Sequence, residues 1–65
     1  MADKDNTKEG KGYATKAQGL EAAMELAWED AKDNHGAVGG DTLTVQSIQI
    51  TGDNPIRGYT VFIGP

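Results

Sequence analysis

Apolar residues recur along the chain in two rhythms. From Thr15 the rhythm is helical: Leu20, Ala23, Met24, Ala27, Trp28 and Ala31 fall at i, i+3, i+4, i+7, i+8 and i+11, forming one stripe. Thr15 and Gln18 stand at capping-box spacing, where each side chain can bond the other's free backbone N–H. Gly36 follows the polar pair Asn34 and His35 and can take the left-handed conformation that ends a helix at no steric cost. A helix over residues 16–34 is therefore predicted.

After the link Gly36-Ala37-Val38-Gly39-Gly40-Asp41 the rhythm becomes that of a strand, predicted over residues 42–51. Its alternation contains a fault. Leu43 and Val45 share one parity, whereas Ile48 and Ile50 share the other, so a regular strand would point the two pairs at opposite faces. A bulge near Gln46-Ser47 would gather all four on one side and bend the strand; without it, both faces need cover. Gly52 to Gly58, with Pro55 inside, is turn chemistry. A return strand is predicted over 59–63, with Tyr59, Val61 and Ile63 on one face and Thr60 and Phe62 on the other.

Residues 1–12 hold no apolar side chain beyond Met1 and Ala2 and read as a flexible N-terminal tail, leaving 13–65 as a single domain. The expected fold class is α+β, one amphipathic helix packed on a small antiparallel sheet in helix–strand–strand order, with room for a short extra N-terminal strand. One helix covers one sheet face. It would leave Thr60 and Phe62 uncovered, together with two strand edges. Leu26 also lies about 120° around the helix from Leu20, off the apolar stripe. The fold is therefore expected to be completed by oligomerisation, with Leu26, Trp28, Tyr59 and Phe62 as interface residues.

The chain has 65 residues, no Cys and a net charge of -4, with the acid concentrated in the helix. Lys4, Lys8, Lys11 and Lys16 are diluted by Asp3, Asp5 and Glu9, which disfavours nucleic acid and anionic membranes as partners. No apolar run is long enough for a signal peptide or a membrane span, so a cytoplasmic chain is expected.

Gly19-Leu20-Glu21-Ala22-Ala23 at the helix start, Leu43-Thr44-Val45-Gln46-Ser47-Ile48 in the bent strand and Gly58-Tyr59-Thr60-Val61-Phe62-Ile63 in the return strand resemble the dodecins. Those small proteins assemble into hollow dodecamers and bind flavins. The resemblance spans about residues 13–64 and lies in layout and size. It implies a homo-oligomer that holds a ligand between subunits. Dodecins open with a full strand, for which this chain offers only Lys11 to Thr15, a stunted one. The dodecin flavin lies against a Trp on the bent strand, and residues 42–51 contain none, so flavin is not carried over and no cofactor is expected. Trp28, Gln46, Gln49 and Phe62 are the candidate ligand-binding residues.

No catalytic residues are expected. Glu21, Glu25 and Glu29, continued by Asp33, form an acidic row that reads as a solvated helix face. His35 reads as a residue of the helix end, with ligation of a metal by Asp33, His35 and Asp41 the remote alternative. The chain is thus expected to be a non-enzymatic binding or assembly protein. The alternative is a protein–protein interaction module that offers the acidic helix face or a free strand edge to a partner.

Overall fold

In the computed structural model, which describes residues 6–65, the chain runs β1 (Gly10–Thr15), α1 (Leu20–Asn34), β2 (Thr44–Gly52) and β3 (Ile56–Gly64). One helix lies on a three-stranded antiparallel sheet of order β1-β3-β2, an α+β layout with the last strand in the centre.

The first strand is fuller than expected. It pairs with β3 from Gly10↔Ile63 to Thr15↔Gly58, so residues 10–12, assigned to the tail, belong to the sheet. Before it, the Lys8 N–H donates to the His35 carbonyl, tying the approach to the end of the helix. Of the rest of the expected tail, residues 6–9 belong to no helix or strand and residues 1–5 lie outside the described residues.

Side chains directly opposite across antiparallel strands share a face. The pairs Gly10↔Ile63, Gly12↔Val61 and Ala14↔Tyr59 therefore form the surface on which α1 rests. The helix contributes Ala23, Ala27 and Ala31, four residues apart and fully buried. The two layers meet almost backbone to backbone. A Cβ on Gly10 would overlap the Ala27 carbonyl oxygen, and one on Gly12 would overlap the Ala27 nitrogen. The core is consequently small-residued: Ala14, Ala23, Ala27, Ala31 and Ala37 with Val61 and Ile63, flanked by half-buried Leu20, Trp28, Leu43 and Tyr59.

The helix starts at Leu20, four residues later than predicted. The Thr15–Gln18 reciprocity exists, since the Thr15 N–H donates to Gln18 Oε1 at 2.9 Å and the Gln18 N–H to Thr15 Oγ1 at 3.3 Å. It closes the turn between β1 and α1 instead of capping the helix, because Gly19, with φ 94°, intervenes as the residue that breaks the turn from the helix. The other end is as predicted. Gly36 takes φ 85°, which brings the Ala37 N–H back onto the Ala31 carbonyl at 3.1 Å.

The bulge is present. Val45 pairs with Ile63 and Ser47 with the next residue, Phe62, leaving Gln46 without an opposite. The shift carries Val45, Ile48 and Ile50 onto the face of Ile63, Val61 and Tyr59, and the half-buried Leu43 packs on the same core. β3 extends from Ile56 to Gly64, longer than predicted, and the Asn54–Pro55 peptide in the β2–β3 turn is cis.

Candidate functional site

Among the described residues, α1 comes within 8 Å, Cα to Cα, of β1 and β3 but not of β2. A helix of 15 residues whose contact stripe is alanine sits close to two strands and stops short of the third. Every residue of β2 is exposed as a result. Val45 is 38% exposed, Ile48 44% and Ile50 62%, although all three belong to the face that elsewhere forms the core. This exposed apolar row is continuous with the core through Val61 and Ile63.

The two sheet edges differ, which corrects the expectation that both are open. On β1 the Lys11 N–H donates to Asp30 Oδ2 at 3.0 Å and the Thr15 N–H to Gln18 Oε1 at 2.9 Å. These residues are four apart, on one side of the strand, so side chains from the helix and the turn occupy part of that margin. Asp30 is held in place by Asn34 Nδ2, which donates to its Oδ1 at 2.7 Å, and His35 Nε2 lies 3.7 Å from its Oδ2. β2 has a different character. From Thr44 to Gly52 it contains no charged residue and no Pro, two of the usual devices that keep a strand edge from pairing; a third, the bulge, affects only its opening part at Gln46.

The sheet face away from the helix forms the second surface. It carries Lys11, Tyr13, Thr15, Ser47, Gln49, Thr51, Thr60 and Phe62, as the cross-strand pairs Lys11↔Phe62, Tyr13↔Thr60, Ser47↔Phe62 and Gln49↔Thr60 require. Lys11 Nζ stands 5.7 Å from the centre of the half-buried Phe62 ring, within cation–π range. The Gln46 side chain lies where a Cβ on Gly64 would be, and the Tyr13 ring lies where one on Gly58 would be. The bulge residue thus folds its amide down over the end of β3.

Of the predicted ligand-binding set, the structure brings Gln46, Gln49 and Phe62 together on this open face. Trp28 sits on the helix, half-buried against the core, with the sheet between it and the other three. The predicted interface residues divide the same way. Leu26 is exposed at 43% on the helix, Trp28 and Tyr59 pack partly into the core, and Phe62 lies on the opposite face. The exposed β2 row was missed in the sequence. Its signal was an alanine-lined helix too short and too closely seated to roof three strands.

The acidic row Glu21, Glu25, Glu29 and Asp33 is exposed along the outside of α1. Asp41 is engaged elsewhere: its Oδ2 accepts the Val38 N–H at 3.0 Å and lies 3.4 Å from Lys8 Nζ. The Val38 hydrogen bond, with help from Lys8, holds the Asp41 carboxyl below the usual aspartate range. Among the described residues no three His, Asp or Glu side chains converge as a metal-ligand set, and Asp33, His35 and Asp41 do not form one. No helix among them is long and apolar enough to cross a membrane. The chain matches no protein-family model, no curated protein and no solved structure.

Proposed function

We propose that the chain is a non-enzymatic assembly and binding protein of dodecin-like layout that works as a homo-oligomer in the cytoplasm. One observation carries this: a nine-residue strand exposed throughout, whose Val45, Ile48 and Ile50 extend the apolar face of Val61 and Ile63 past the reach of the helix. Burying that row against neighbouring copies removes apolar surface from water and satisfies the free strand margin in one step. An opening strand of six residues and the order β1-β3-β2 also support the dodecin-like layout.

A small flat ligand fits the open face, where Phe62 offers a ring and Gln46 and Gln49 offer amide donors and acceptors. Trp28 joins these residues only from another copy, because its own sheet separates it from them. Sedimentation equilibrium over a wide range of dilution tests the assembly: a mass several times 6.9 kDa is expected, and a single 6.9 kDa species at all concentrations overturns it. The exposed row Glu21, Glu25, Glu29 and Asp33 favours a second function, docking of a basic protein partner on the helix, to which the monomeric outcome would point.

A further inference from the structure

We infer that two copies pair β2 with β2, antiparallel, about a two-fold axis that passes through Gln49, so that one continuous six-stranded sheet runs through both. The inference rests on the homo-oligomeric function proposed above and specifies the contact.

The edge is chosen by elimination between two margins. β1 is partly occupied, with the Lys11 and Thr15 N–H groups donating to Asp30 and Gln18, while β2 lies beyond the helix and is exposed from end to end. The occupant follows from charge. A two-fold axis brings two copies of the same strand together, so any ionised residue on it would place two like charges within one contact. β2 has none between Thr44 and Gly52, in a chain whose net charge is -4. The acidic row that would repel a second copy lies on the outside of α1, whose backbone stays more than 8 Å, Cα to Cα, from β2.

The register follows from the irregularities. β2 departs from even pairing between Val45 and Ser47 and again between Thr51 and Gly52, leaving Ser47 to Thr51 as the regular run. Self-pairing that uses the whole run must be centred on its middle residue, Gln49. It then sets Ser47 opposite the partner's Thr51 and Ile48 opposite the partner's Ile50. Opposite residues share a face, so Ile48 and Ile50 of both copies merge into one apolar strip on the helix side. Shifting the pairing by one residue in either direction would oppose isoleucine to glutamine and to serine or threonine and break that strip.

The absence of cysteine from the chain makes single-cysteine crosslinking clean. Gln49→Cys should shift almost completely to twice the chain mass on mild oxidation, since directly opposed Cα atoms lie about 4.5 to 5.5 Å apart, within disulfide reach. Ser47→Cys alone and Thr51→Cys alone should stay single, their self-images being about 13 Å apart along the strands, whereas an equal mixture of the two should crosslink. Far-UV circular dichroism matching the parent verifies each fold, and the mixed pair provides a second test should Gln49→Cys misfold. An oligomer in which neither Gln49→Cys nor the mixture crosslinks overturns the β2 contact and leaves the proposed function standing. Self-crosslinking of Ser47→Cys as fast as Gln49→Cys overturns the register. A native chain that sediments at 6.9 kDa removes both the contact and the oligomeric function.

Discussion

Gly12 of β1 lies so close to Ala27 of α1 that a methyl group on the glycine would overlap the alanine's backbone nitrogen, and Ala23's carbonyl oxygen crowds the same point. No side chain there can turn aside, because the obstruction is main chain. Gly12→Ala should therefore push the helix off the sheet and cost about 2 to 3 kcal/mol, the upper range for overpacking. Gly39→Ala, at a glycine with nothing within 4 Å and without positive φ, should stay within about 0.5 kcal/mol of the parent. Urea midpoints at unchanged slope measure the difference.

Asp30 links β1 to the end of α1 through one carboxylate, accepting the Lys11 N–H from β1 and the Asn34 side chain from the helix end, with His35 nearby. Asp30→Ala should cost about 1 kcal/mol, the worth of a partly exposed hydrogen bond, and should speed exchange of the Lys11 amide more than that of other β1 amides. Asp33→Ala, on the exposed outer row, should change neither quantity by a measurable amount.

The loop after the helix should respond to acid through Asp41. Its folded pKa is depressed, chiefly by the Val38 N–H and then by Lys8. The stabilisation is thus fully present above the ordinary aspartate pKa and is lost as pH falls through the lower folded value. In an NMR titration the Val38 amide shift should follow the Asp41 carboxyl. Lys8→Gln should raise that pKa only slightly, because the backbone bond is the larger cause.

Ile48→Lys places a solvated cation at the centre of the exposed β2 row. It should weaken self-association about tenfold or more, equivalent to about 1.4 kcal/mol, while leaving helix content unchanged. Val38→Lys serves as the comparison: Val38 is 59% exposed in the loop after the helix, and its replacement should not alter the sedimenting mass.

The bulge was legible because parity is a strict counter: Val45 and Ile48 cannot share a face of an even strand, and the structure resolves the conflict at Gln46. The helix end was legible for a similar reason, since Gly36 suits the positive φ found there. The first strand was only partly legible. Its inward positions are Gly10, Gly12 and Ala14, which carry almost no hydrophobic signal because the helix backbone occupies the space where larger side chains would stand. The helix start was obscured by chemistry shared between two motifs, as Thr15 and Gln18 make the same reciprocal bonds in a strand-to-helix turn as in a cap. The candidate site divided along the sheet. Parity placed Gln49 and Phe62 on the same side, whereas the position of Trp28 depended on which face the helix would cover, a tertiary choice that local pattern does not encode.

One unpaired residue, Gln46, decides which way the opening part of β2 looks. Were it drawn into the ladder as an ordinary strand residue, Val45 would swing to the far side of the sheet and leave the company of Ile63, Ile48 and Ile50. The hydroxyl of Thr44 would turn toward the helix layer in its place. The apolar strip would be cut short at Ile48, and the main chain would straighten where it now bends. The inside and the outside of any particle built from this sheet are thus distinguished by a single inserted amide.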